Sequence, residues 1–286
     1  MKRIFSLLII MSLFVLALCA TAFGAEANVI DEKALLQPDT QVVQLNEYEL
    51  FKQKQAETDE ELAQRGLSAD QIKELRNFDY PAEIRKRAML NDTELAKMGY
   101  DSESIAELRS FDGSEEQTYA LTASLSLSCN INNYFYSNNR TNAVISYNWS
   151  WDSMPFWTMT DILAIAWDPS MYQTPDNYND KQVISCYIGS TYAGTYTTPL
   201  SPEVPGGAAS CSFPVLVDEF SDMWAKSATG NVYLSASGYV ANFATRVAYG
   251  HSTLYGSPSV SFPGGVSITF GGSADEEAAD YDYKSL

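Results

Sequence analysis

From Leu121 the chain alternates strictly: Leu121, Ala123, Leu125, Leu127, Cys129 and Ile131 are apolar, and each residue between them is Thr, Ser or Asn. Successive side chains of a strand point to opposite faces, whereas a helix would scatter this pattern round its circumference. Period two therefore commits the segment to a half-buried strand. The pattern returns at 143–151, where Ala143, Ile145, Tyr147, Trp149 and Trp151 share one face and Ser146, Asn148 and Ser150 the other. Burying an aromatic face is worth about 1.5–3 kcal/mol per ring, so Tyr147 and Trp149 are expected in a core, as is Trp167 beside Leu163 and Ile165. Trp151 and Trp157 flank the turn-like Asp152-Ser153-Met154-Pro155, where a ring can stay exposed.

Further strands are expected at Ile162–Trp167, Gln182–Ile188, Ala208–Phe213, Asn231–Ser237, Val240–Tyr249, Ser259–Phe262 and Val266–Phe270, with Pro263-Gly264-Gly265 turning the last pair. Asn132–Asn139 reads as a turn-rich loop carrying Tyr134 and Tyr136. Phe220, Met223 and Trp224 have helical spacing, so a short helix is expected over Val217–Ala225. So many short strands indicate an all-β main domain over 119–272, a β-sandwich with a jelly roll as the alternative. The acidic tail 273–286 is expected to be disordered.

A small α-helical repeat region, 46–113, precedes this domain. Thr58–Asp79 aligns without gaps to Asn91–Asp112, 33 residues later, with 11 of 22 positions identical. Thr58-x-x-Glu61 and Asn91-x-x-Glu94 are capping boxes, and Ser68 with Gln71 starts a second helix. Gly66 and Gly99 stand where a left-handed helix terminator is wanted. Glu47–Gln55 reads as a helix, and Tyr80-Pro81 opens a connecting helix to Leu90. Residues 114–118 read as a polar linker and 23–45 as a poorly ordered leader.

Lys2 and Arg3, the apolar run Ile4–Ala20 and Ala20-Thr21-Ala22 have the layout of a secretory signal peptide over 1–22. No later run reaches the ~20 apolar residues of a membrane-spanning helix, so a secreted, extracellular protein without a transmembrane segment is expected. With 18 basic against 36 acidic residues and a net charge of −18, the chain lacks the clustered cations that nucleic acid requires. Three cysteines follow the signal segment: Cys186–Cys211 is the expected disulfide, with three buried thiols as the alternative.

The two Leu-Ala-x-x-Gly…Ile-x-Glu-Leu-Arg-x-Phe-Asp units, with Tyr249-Gly250-His251-Ser252 before the terminal hairpin, resemble uncharacterised exported proteins of Gram-positive bacteria that place helical repeats before a β-domain. The resemblance spans most of the mature chain and implies no activity.

Every histidine mechanism would have to pass through His251, the single histidine, and no nucleophile elbow, zinc motif or phosphate loop accompanies it. No catalytic residue, cofactor or metal site is therefore assigned. Asp152, Asp161 and Asp168, with Asp218, Glu219 and Asp222, are carboxylates that a glycan hydrolase could use. Asp176–Asp180 offers oxygen ligands without the spacing of a calcium loop. The expected function is a non-catalytic binding module for a glycan, a cell-envelope component or a protein, with Trp151, Trp157, Tyr134 and Tyr136 as ligand-binding residues. The alternatives are a membrane-active or antibacterial factor with an N-terminal pro-region, in which Arg85-Lys86-Arg87 would be the cleavage site, and then a glycan-active hydrolase.

Overall fold

The computed structural model describes residues 46–174, 180–204, 207–254 and 256–286; the signal-peptide and leader expectations lie outside them. Helices come first: α1 (Glu47–Ala56), α2 (Asp59–Gln64), α3 (Ala69–Asn77), α4 (Tyr80–Ala88), α5 (Asp92–Lys97), α6 (Ser102–Arg109) and α7 (Glu115–Ala120). Capping boxes at Thr58/Glu61, Ser68/Gln71 and Asn91/Glu94 satisfy otherwise orphaned backbone N–H groups and set three of the starts. Gly66 and Gly99 end α2 and α5 at φ +96° and +90°, where a side chain would be strained.

The repeat is longer than its identities: α1–α3 recur 33 residues later as α4–α6. Phe51 and Ile84 are equivalent buried anchors, as are Leu62 with Leu95 and Leu75 with Leu108. Arg76 donates to the carbonyls of Gln55 and Glu57 and to the Asp59 carboxylate. Arg109 repeats all three contacts, 33 positions on, with Ala88, Leu90 and Asp92. A planar guanidinium fork thus ties the end of each unit's third helix to the corner between its first two.

The expected linker 114–118 is a helix start instead. Ser114 Oγ accepts from Gln117 N, and Glu115 and Glu116 fill the first turn of α7, where negative charge suits the helix dipole.

The β-domain is a sandwich, as the alternation required. One sheet holds β1 (Leu125–Ser137), β2 (Arg140–Trp151), β10 (Met223–Ser237), β5 (Lys181–Ile188) and β6 (Thr191–Pro199) in that order, with β4 (Tyr172–Gln173) and β9 (Leu216–Asp218) also on β10. The other runs β14 (Ala274–Ser285), β11 (Asn242–Ser252), β3 (Thr160–Trp167), β8 (Ala208–Pro214), β7 (Ser201–Val204). A hairpin, β12 (Pro258–Gly264) with β13 (Ser267–Gly272), covers the outer side of this second sheet. A Cβ on Gly250 would stand 2.6 Å from the Phe270 ring, so only glycine lets the hairpin approach. Covered on both sides, β3 reads as a continuous apolar run rather than an alternating one.

Four expectations are corrected. Leu121 is the C-cap of α7, and the strand expected from there begins at Leu125. Asn132–Ser137 continues β1, and the chain reverses at Asn138-Asn139, both with positive φ. Val217–Ala225 is no helix. Asp218 accepts from Phe220 N and Ser221 Oγ, closing a tight turn that leaves Phe220 exposed while Trp224 is buried. The tail is ordered: β14 pairs with β11 from Asn242↔Ser285 to Ser252↔Ala274. Its charge, which argued for disorder, is consumed in specific contacts. Asp280 accepts from Cys129 N and Asp282 from Ile131 N, each at 2.6 Å, so carboxylates of one edge strand satisfy free N–H groups on the edge of the facing sheet.

The sandwich core centres on Trp149, stacked on Phe213 at 5.3 Å with Tyr249 edge-on at 5.1 Å. The helices have their own core of Phe51, Leu62, Leu75, Ile84, Leu95 and Leu108, into which the β-domain inserts Trp157 and Leu254. Equivalent turns of the two repeats dock on the sandwich: Gly272 N donates to Arg65 O at 2.9 Å and Met154 N to Met98 O at 3.1 Å.

Candidate functional site

With the hairpin on one sheet and the helices at the sandwich end, the outer face of the larger sheet is left open among the described residues, and register lays its side chains out in rows. The first row is Ser126, Ser150, Ser227, Ser185 and Thr195; the second is Ser128, Asn148, Thr229, Val183 and Thr197. The third is Asn130, Ser146, Asn231, Lys181 and Pro199. These are the polar partners of the apolar positions that face the core, carried outward by strand alternation. Hydrogen bonds cross the strands within the array: Asn132 Nδ2 to Ser146 Oγ at 2.9 Å, Ser146 Oγ to Asn231 Oδ1 at 2.6 Å and Asn148 Nδ2 to Ser128 Oγ at 2.7 Å. Lys181 is the one charged side chain in these three rows, on a chain whose net charge is −18.

Aromatic rings close one end of the array. The fourth row is Asn132, Val144 and Tyr233, and the fifth is Phe135, Asn142, Ser235 and Tyr172. Phe135 and Tyr172 are exposed and Tyr233 is half-buried. Arg140 Nε donates to Ser235 Oγ at 3.1 Å, which lays its guanidinium along the fifth row. The face presents hydroxyls, amides and rings, and it can hydrogen-bond and stack.

The second concentration of polar groups is sealed between α1 and the sandwich. Glu47, Asp161, Tyr249, His251 and Glu277 are all fully buried. Asp161 accepts from Tyr249 OH at 2.7 Å and from Ser252 N at 2.9 Å, and lies 2.9 Å from His251 Nδ1. On the other side of the ring, His251 Nε2 is 3.3 Å from Glu47, whose carboxylate also accepts from the backbone of Phe156 and Trp157. Burial pulls the His251 pKa down, but Asp161 and Glu47 outweigh it and hold the imidazole well above its ordinary value. Among the described residues Glu277 has no hydrogen-bond partner for either oxygen, and burial, with the nearby carboxylates, raises it to about 8. Alongside, buried Lys54 donates to Asp275 at 2.6 Å, to Ser273 O and to Thr253 Oγ1, while Arg65 pairs with the same Asp275. The arrangement fastens α1 to β3, β11 and β14, and full burial keeps it from any substrate.

The expected ligand-binding residues divide. Trp151 is 1% exposed, its Nε1 donating to Tyr249 OH, and Trp157 is 6% exposed between Phe51 and Phe78. Neither can stack on a ligand: Trp151 lies in the sandwich core on the inward face of β2, and Trp157 is packed into the helical core. Tyr134 is half-buried with its hydroxyl donating to Val240 O. Tyr136 is exposed, edge-on to Tyr239 at 5.5 Å. Tyr172, Tyr233 and Phe135 were missed; only strand register reveals that they share a face.

Cys186 and Cys211 are free buried thiols, as is Cys129, so the expected disulfide is absent. They belong to facing sheets, and Cys211 Sγ instead accepts from Gln182 Nε2. Asp152 and Asp168 cap turns through Ser153 N and Ser170 N, and Asp161 is enclosed. Of the Asp176–Asp180 loop only Asp180 is described; its carboxylate accepts from Gln173 Nε2 and Tyr233 N. Arg87 donates to Tyr100 OH and lies 3.5 Å over the Phe156 ring, so the basic run is held in α4. Among the described residues no group of His, Cys, Asp or Glu could hold a metal ion, and no helix is long and apolar enough to cross a membrane.

No family model matches the chain, and no curated protein does. Among solved structures, one described as a pore-forming protein is 11% identical, with a TM-score of 0.26 over 56% of this chain and 84% of its own. The membrane-inserted NetB toxin of Clostridium perfringens is 8% identical, with a TM-score of 0.23 over 56% of this chain and 88% of its own. AvmM, described as catalysing macrocyclization in alchivemycin A biosynthesis, is 12% identical, with a TM-score of 0.22 over 47% of this chain and 79% of its own. At scores this low the likeness carries no argument.

Proposed function

We propose that this is an exported, non-catalytic binding module, and that its recognition surface is the outer face of the larger sheet, taking a hydroxyl-rich glycan. The observation that carries the reading is the cross-strand array of Ser, Thr and Asn ending in Phe135, Tyr233 and Tyr172. Such side chains exchange hydrogen bonds with sugar hydroxyls, and rings pack on the C–H faces of sugars. Bonds already made across the strands hold the donors in place, so little freedom is lost on binding. The test is calorimetric titration of the full chain with a panel of soluble and insoluble glycans. The double variant Asn142→Arg/Asn231→Arg, which plants charged side chains on either side of Tyr233, abolishes binding while leaving the unfolding temperature unchanged. Binding that survives the double variant refutes the site.

One observation favours a membrane-active role as the second reading. β1 and β2 are 13 and 12 residues long, against the ~9–11 residues with which a tilted strand crosses a bilayer, and their neighbouring segments Leu125–Ile131 and Ile145–Trp151 alternate apolar with uncharged polar side chains. To use them so, the domain would have to surrender the Trp149 core. Dye release from liposomes by the full chain, suppressed by Ser146→Asp, would establish this reading over the first.

A further inference from the structure

The geometry points to a particular ligand form on this face: a single soluble, uncharged glycan chain lying across the strands from Phe135 to Tyr172, rather than a crystalline polysaccharide surface or an acidic polymer. The inference rests on the binding-module reading and specifies its ligand. Phe135 on β1 and Tyr172 on β4 are three strand steps apart, through Asn142 on β2 and Ser235 on β10. At ~4.8 Å per step the rings stand about 14 Å apart, the reach of about three pyranose rings end to end. Tyr233 lies one row inward on β10, between the two, and Asn132, Asn142 and the Arg140 guanidinium supply hydrogen bonds along the same line.

Twist decides between a chain and a crystal. Adjacent strands rotate by roughly 20–25°, so three steps turn the face by about 60–75°. A flat lattice touching Phe135 therefore turns away from Tyr172, whereas a single chain follows the rotation through its glycosidic torsions. Charge decides between neutral and acidic chains. Arg140, whose Nε donates to the neutral Ser235 hydroxyl, and Lys181 two rows away are two cations on this face, and the whole chain, both included, has a net charge of −18. An acidic polymer would gain little locally and be repelled at longer range.

The experiment titrates the full chain with neutral linear oligosaccharides from mono- to hexasaccharide, beside an acidic oligosaccharide and an insoluble crystalline polysaccharide in pull-down. Affinity is expected to rise with length to about the trisaccharide and then level. Phe135→Ala, Tyr172→Ala and Tyr233→Ala each weaken it roughly two- to tenfold, as expected for one aromatic contact, without changing the unfolding midpoint. Retention on the crystalline polysaccharide alone, or salt-sensitive binding of the acidic chain alone, overturns this inference and leaves the binding-module reading standing. Binding of the neutral chain that all three alanine variants retain in full overturns the placement. Failure to bind any glycan overturns both.

Discussion

Glu277 provides the sharpest test of the polar cluster that fastens the helices to the sandwich. Its side chain is fully buried, and burial together with Glu47, Asp161 and Asp275 holds its pKa at about 8 against the ordinary 4.5. Between those values the unfolded chain has released its proton and the folded chain keeps it. The folded state therefore binds more protons, and stability falls as pH rises. The difference amounts to about 5 kcal/mol, as large as the whole margin of many domains. His251 acts in the same direction, because its pKa is raised in the fold. Its stabilisation is complete below about pH 6.5 and is withdrawn as pH climbs through the raised value. Lys54 works the opposite way on the alkaline side, since burial lowers its pKa and the folded chain there binds fewer protons than the unfolded one. Urea unfolding followed by the emission of buried Trp149, Trp151, Trp167 and Trp224 reads the balance. From about pH 5 to pH 8 the midpoint should fall steadily. Glu277→Gln should flatten the decline and be more stable than the natural chain at the alkaline end. A midpoint that is level or rises over this range, or a Gln variant with an undiminished slope, refutes the reasoning.

Trp151→Ala and Trp149→Ala should each cost about 3–5 kcal/mol in chemical denaturation, because both rings are fully buried. Lys54→Ala leaves Asp275 enclosed with only Arg65 as ionic partner; a loss of about 3–5 kcal/mol and faster hydrogen exchange in α1 are expected. Gly189→Ala would place a Cβ 2.2 Å from Ala96 O at φ +62°, whereas nothing lies within 4 Å at Gly66. Thermal melts should therefore show a larger loss at Gly189 than the roughly 1 kcal/mol of the helix terminator alone. Arg76→Ala and Arg109→Ala should cost similar amounts, about 1–3 kcal/mol, because the repeat gives them equivalent acceptors; denaturant midpoints differing severalfold between them would count against that equivalence.

The sequence by itself determined the caps, the repeat and the strands that alternate or run apolar, because each is written in spacing that one backbone geometry satisfies; the polar strands Thr191–Pro199 and Ala274–Ser285 carry no such signal. Leu125–Ile131 alternates as the strand its spacing requires, whereas Leu121, on the same period, caps the end of α7; Thr58-x-x-Glu61 satisfies the start of a helix from within four residues. That Ser146, Asn148 and Ser150 face away from the core was legible in the same way. Only tertiary structure decided which surfaces stay open. Trp157 follows a turn that reads as exposed, yet the helical core closes round it, and local spacing carries no record of what will pack there; Trp151 is buried by the same alternation that buries Trp149. The acidic tail looked disordered because composition counts its charges without their partners, the N–H groups of Cys129 and Ile131 lying some 150 residues earlier. His251 read as a lone histidine until the fold brought Asp161 and Glu47 to either side of it from 90 and 204 residues away. Phe135, Tyr233 and Tyr172 come from three strands, and their common face is a property of register, which hydrogen bonding between distant segments fixes.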